Sequence, residues 1–99
     1  LTDLLYFVTE KDPASISLAS DHKNVNVGVC LLQDAVYLGV QCQKDEKIND
    51  AVKRGIPIYA AKKDVKLRGL EKLINREIKL LDYSEIVDLV LKYNRIINM

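Results

Sequence analysis

Val27-Gly28-Val29-Cys30-Leu31-Leu32 decides the reading of this chain. Every residue in it except Gly28 is apolar, and the run stops abruptly at Gln33-Asp34. A strand with one wet face alternates apolar and polar residues. A continuous run instead predicts burial on both faces, as in a central strand of a parallel sheet. Cys30 should then be sealed inside the sheet, where a free cysteine behaves as a small hydrophobe.

The flanking segments repeat the alternation of apolar runs and capped helices. Leu4 to Val8 is a short run of strand formers. Asp12-Pro13 pairs an N-cap residue with proline at the first helical position, so a helix should begin there, with Ile16, Leu18 and Ala19 as a narrow apolar stripe. Downstream of the central run, Asp45 is placed to cap a helix carrying Ile48, Ala51 and Val52, and Gly55 is placed to end it in the left-handed conformation. Ile56 to Ala61 reads as a third strand. Asp64 is placed to cap a short turn ending at Gly69, and Leu70 to Ile74 leads to a fourth strand at Ile78 to Leu81. Asp82 and Glu85 form a capping-box pattern stapled by Leu81 and Ile86, opening a helix with Ile86, Val87, Val90 and Leu91 as its apolar face. Further apolar residues at Leu89, Tyr93, Ile96 and Ile97 should remain for a partner, predicting self- or hetero-association.

Strand and helix alternate throughout, which predicts a three-layer α/β fold: a small parallel sheet of about four strands with helices on both faces and right-handed crossovers. Its 99 residues fit one domain spanning 1–99. Function in such sheets sits at the carboxyl ends of the strands. Four loops qualify: Thr9 to Asp12, Gln33 to Lys44, Lys62 to Gly69 and Asp82 to Ser84.

Composition narrows the function classes. The net charge of +1 favours no particular partner, and 6% aromatics without tryptophan argues against a stacking platform for nucleic acid. No apolar run is long enough for a membrane span, and no secretory leader is read, so a cytoplasmic location is expected. Neither a dinucleotide fingerprint nor a phosphate loop occurs, and no cofactor is expected. Between Lys53 and Lys79 nine basic residues face only three acidic ones; this stretch reads first as several solvated helix faces, the alternative being one basic face for RNA or for an acidic protein partner.

Two cysteines and one histidine make neither a zinc site nor a disulfide framework. His22 reads as a solvated residue at a helix end. Cys42, in the long loop after the central run, has two readings: an ordinary surface thiol, or a thiolate modestly stabilised by the helix beginning near Asp45 and offset by Asp45 and Glu46.

Three segments, in order, resemble one family. Val29-Cys30-Leu31-Leu32-Gln33-Asp34-Ala35-Val36-Tyr37 is similar to the "LLLQDGV" strand and turn of the TusB/DsrH sulfur-relay proteins. Ile58-Tyr59-Ala60, Asp64-Val65 and Leu67-Arg68-Gly69-Leu70 resemble its "VYAL..D...RG" segment, and Ile78 through Leu89 its "I.LIDY.DFV.L" ending. The residues carrying the resemblance, Gln33, Asp34, Asp64, Arg68, Gly69, Asp82 and Tyr83, are the candidate binding or structural motif. Cys42 is the candidate catalytic residue, and no metal ligand is read.

The resemblance implies a fold like that of the DsrE/DsrF/DsrH proteins and a place in a complex with TusC- and TusD-like (DsrF/DsrE-like) partners. Such complexes relay persulfide sulfur, toward 2-thiolation of the tRNA wobble uridine or within sulfur oxidation, with a small sulfur-carrier protein as a further partner. In them the principal sulfur-accepting cysteine belongs to the TusD/DsrE-type subunit, so a non-catalytic subunit is expected here. Some DsrH members carry a cysteine in the first helix. Ser15, Ser17 and Ser20 occupy that segment here, and a stand-alone carrier would have to use Cys42. Ala35 replaces the usual glycine, implying a turn that needs no positive φ there. Ile96-Ile97-Asn98-Met99 stands where members commonly carry a tryptophan-containing tail.

Overall fold

The computed structural model describes residues 3–10, 14–20, 26–40 and 47–99. The expected caps at Asp12-Pro13 and Asp45, together with His22 and Cys42, lie outside the described residues. In chain order the elements are β1 (Asp3–Val8), α1 (Ala14–Ser20), β2 (Asn26–Leu31), a 3₁₀ helix (Gln33–Gly39), α2 (Lys47–Lys53), β3 (Ile58–Ala61), α3 (Lys62–Leu67), β4 (Lys79–Leu81), α4 (Tyr83–Lys92) and β5 (Arg95–Asn98).

All strand pairs are parallel, in the order β4-β3-β2-β1-β5. The continuous apolar run therefore forms the middle strand, as its lack of alternation requires. Val27, Val29 and Leu31 face one layer, and Cys30 and Leu32 the other. Chain direction explains the layers. From β1 to β4 each crossover steps the same way, so right-handed connections lay α1, α2, the 3₁₀ helix and α3 on one face. Ile16, Ala19, Val36, Ile48, Ala51 and Val65 seal that face. The step from β4 to β5 runs back across the sheet, and α4 covers the opposite face with Ile86 and Leu89 over Leu5 and Cys30.

Four expectations change. The sheet has five strands rather than about four, because the chain leaves α4 at Tyr93 in an extended conformation (φ −101°, ψ 143°) and pairs with β1. Ile96 and Ile97 are therefore half-buried members of that edge strand instead of surface kept for a partner, and Leu89 is buried. On α4 the inward residues are Ile86 and Leu89, while Val87 and Leu91 point to solvent, one helical turn apart with Tyr83. Leu18, expected on the stripe of α1, is exposed. The capping box at Asp82 forms as expected: Asp82 Oδ1 accepts from Glu85 N at 2.9 Å, and Asp82 N donates to Glu85 Oε1 at 3.2 Å. Gly55 takes a left-handed φ of +80° at the end of α2.

Cys30 is fully enclosed, and burial, with the Asp64 carboxylate as a lesser influence, pushes its thiol from 9.0 up to about 12. Such a thiol favours the protonated form in the fold. Its contribution to stability is complete below the ordinary value and is lost as pH climbs through the folded one. Melting temperature should fall progressively above about pH 9. Iodoacetamide at pH 8 should leave Cys30 unmodified until denaturant is added, as peptide mapping would show. Labelling of Cys30 in the folded protein would contradict this seal.

Candidate functional site at the carboxyl edge of the sheet

β2, β3 and β4 all end at the same edge, and the loops that leave them carry every described candidate residue. At the end of β2 the backbone turns at Gln33, the one non-glycine residue among those described with positive φ (52°). The family's glycine position, Ala35, lies inside the 3₁₀ helix and needs no such conformation, as its side chain implied. Gln33 N donates to Asp64 Oδ2 at 2.9 Å. Asp64 lies in the first turn of α3, one turn before Arg68, and does not cap that helix. The N-cap is Ala61, which has no side-chain bond, so the expected cap is replaced by a tertiary contact.

Arg68 closes the cluster. Its Nη1 lies 3.6 Å from Asp64 Oδ1 and donates to the Asp64 carbonyl at 3.2 Å. Its Nε and Nη2 both donate to Asp34 Oδ1, at 3.3 and 2.9 Å. Gly69 follows with φ +65°, a left-handed position suited to a residue without Cβ. Gln33, Asp34, Asp64 and Arg68 thus form one clasp between the end of β2 and α3.

Asp82 and Tyr83 lie on the other side of α3. Hydrogen bonds from Glu85 N and the Ser84 hydroxyl (2.8 Å), with a weaker contribution from Lys62, hold the Asp82 carboxyl below its ordinary range. Lys63 Nζ sits 5.7 Å from the centre of the exposed Tyr83 ring, within cation–π range. Between α3 and the start of α4 runs an open groove of about 520 Å³, floored by Ala61, Leu67 and Leu81 and edged by Lys62, Lys63 and Lys66. In the sequence these lysines are part of the basic stretch, and their grouping on one groove edge is set by the fold. Their spacing, one residue and then three, is the available signal, because it clusters them on one short helix. The rest of the stretch disperses as expected: Arg54 and Lys79 border a groove at the amino ends of the strands, and Arg68 is held by Asp34 and Asp64.

Among the described residues no group of His, Cys, Asp or Glu could hold a metal ion, and no helix is long and apolar enough to cross a membrane. The edge carries fixed charges, an exposed ring and an apolar groove.

Among the described residues, the parallel sheet with α4 on its reverse face and a charged carboxyl edge defines a small α/β protein. Comparison with known proteins agrees on the architecture. The ychN protein from E. coli superposes with a TM-score of 0.83 over 100% of both chains at 14% identity. A protein of unknown function from Bacteroides thetaiotaomicron superposes at 0.82, covering 98% of this chain and 94% of that one, at 16% identity. In sequence, Protein TusB from Photorhabdus laumondii is 26% identical over 69 residues, 68% of each chain. Protein TusB from Salmonella arizonae is 38% identical over 64 residues, so the match spans 64% of that relative's length. The family described as DsrH like protein matches residues 1–96, and the chain belongs to this TusB/DsrH family.

Proposed function

We propose that this chain is a non-catalytic subunit of a cytoplasmic sulfur-relay complex, supporting persulfide transfer toward 2-thiolation of the tRNA wobble uridine. Family membership over residues 1–96 and relatives named Protein TusB support the pathway. One observation carries the subunit role. Tyr83, Val87 and Leu91, one turn apart on the outer face of α4, are 58%, 58% and 80% exposed. An apolar stripe of this kind, three residues in a row on one helix face, marks a surface that another protein covers. TusC- and TusD-like subunits are the partners this reading requires.

The chemistry of the thiols agrees. Cys30 is enclosed and held protonated, so any sulfur carried by the chain itself would sit on Cys42. Relay through the complex needs no thiol here.

Co-expression with TusC- and TusD-like proteins, followed by native mass spectrometry, tests the reading. The wild-type chain should be recovered in a complex, and Val87→Glu with Leu91→Glu should release it, because two carboxylates would be buried without partners. Leu18→Glu, on the opposite layer, should not. Cys42→Ser should leave 2-thiouridine in tRNA undiminished when it replaces the wild-type gene. A strictly monomeric chain with no affinity for these proteins would overturn the subunit role, and a Cys42→Ser variant that abolishes thiolation would make the chain a carrier.

A further inference from the structure

We infer that the groove between α3 and the start of α4 binds an acidic protein segment anchored by an aliphatic side chain. This goes beyond membership of a complex, since it assigns a second contact that adjoins the stripe at Tyr83 and differs in chemistry from its Val87 and Leu91.

The argument rests on lysines that make no direct ion pair around an apolar floor. Lys62, Lys63 and Lys66 edge the groove, and among the described residues none lies within salt-bridge distance of a carboxylate. The nearby acids are already engaged inside the fold. Asp64 accepts from Gln33 N and faces Arg68, while Asp82 accepts from Glu85 N and Ser84 Oγ. Three lysines without a direct ion pair therefore surround a surface made of Ala61, Leu67 and Leu81, Lys62 near the exposed Asp82 carboxylate and Lys63 over the Tyr83 ring. Exposed lysines alone would be a solvated face, and an exposed leucine alone would need no explanation. Together they match a segment whose carboxylates meet the lysines while a leucine-like side chain leaves water against Leu67 and Leu81.

The same residues argue against nucleic acid. Among the described residues one aromatic ring, Tyr83, lines the groove, and Lys63 already lies over it, so successive bases have no platform there. The floor is hydrocarbon, which an aliphatic side chain can cover and a phosphate track cannot.

Fluorescence anisotropy on the full chain tests this, with a fluorescein-labelled peptide of glutamates around a central leucine pair as the probe. Binding should weaken as salt rises, since exposed charge pairs are screened. Reversal of all three lysines (Lys62→Glu, Lys63→Glu, Lys66→Glu) should weaken it at least roughly tenfold. Leu67→Ser should weaken it severalfold, and Lys79→Glu, at the amino end of β4, should leave it unchanged. Melting curves of the variants should match wild type, separating lost binding from lost folding. An all-glutamate peptide that binds as tightly as the probe would overturn the anchored mode. A single-stranded RNA of equal charge that binds more tightly and displaces the probe would make the groove a nucleic-acid site. Absence of binding, or equal loss in Lys79→Glu, would end the proposal. Val87→Glu with Leu91→Glu should leave probe binding intact, so this inference and the subunit reading fail separately.

Discussion

Gly28→Ala is expected to destabilise the protein by about 2 kcal/mol, the scale of overpacking a well-filled core. Gly28 lies in the middle strand opposite Leu5, on the face covered by α4. A Cβ added there would overlap the Tyr93 hydroxyl and lie 2.9 Å from its Cζ and 3.4 Å from Leu5 Cδ1. Tyr93 cannot simply swing away. It is half-buried at the point where α4 hands over to β5, and burial, then its contact and hydrogen bond with Tyr59, raises its hydroxyl from 10.0 to about 12. Moving the ring would break that hydrogen bond or loosen the start of the edge strand. Tyr93→Phe removes the overlapping atom at the cost of one hydrogen bond, about 1 kcal/mol. In the double variant the two losses should sum to less than the separate effects, a coupling readable from urea unfolding of the four proteins. Strict additivity would show that Gly28 is not kept small by Tyr93.

The amino-acid pattern made the centre of this fold legible and its edge illegible, for one physical reason. β2 is recognisable because burial on both faces leaves a continuous apolar run, and the start of α4 because a capping box is local chemistry. β5 exists through pairing with β1, more than 85 residues away in the chain, with Met99 N donating to Phe7 O at 2.8 Å. Its residues Ile96 and Ile97 continue the spacing of the preceding helix, so nothing within the segment separates a strand from a further turn. The outer face of α4 is illegible for the same reason. Val87 and Leu91 are as apolar as Ile86 and Leu89, and only the position of the sheet selects which pair turns inward.

The site divides along the same line. That Gln33, Asp34, Asp64 and Arg68 belong to one edge follows from parallel strands and the rule that loops at their carboxyl ends gather together. That Arg68 spans Asp34 and Asp64 does not follow, because the partners lie 34 and 4 positions away and the longer pairing depends on β2 lying beside β3. Asp64 illustrates the difference. Read locally it is a helix cap; in the fold it serves the backbone of another loop.

Asp64→Ala is accordingly expected to cost about 2–3 kcal/mol, more than any other substitution in the clasp. The Asp64 side chain is only 13% exposed and Arg68 21%, so their interaction is poorly screened by water. Its loss leaves Gln33 N without its acceptor at a residue already held at φ 52° and removes one carboxylate from Arg68. For a domain of this size the melting temperature should fall by roughly 10 °C. Asp34 is the internal control: its side chain is 69% exposed, and Asp34→Ala should cost under about 1 kcal/mol, as exposed ion pairs do. Asp64→Asn keeps an oxygen for the Gln33 amide while losing the charge, and should fall between the two. Gln33→Gly supplies a separate check on the backbone. Glycine occupies the left-handed region without steric cost, so this variant should be at least as stable as wild type, whereas a β-branched Gln33→Val should lose about 1–2 kcal/mol. If Asp34→Ala proved as damaging as Asp64→Ala, the clasp would be a surface charge pair, and the turn at Gln33 would be held by something other than the carboxylate beneath it.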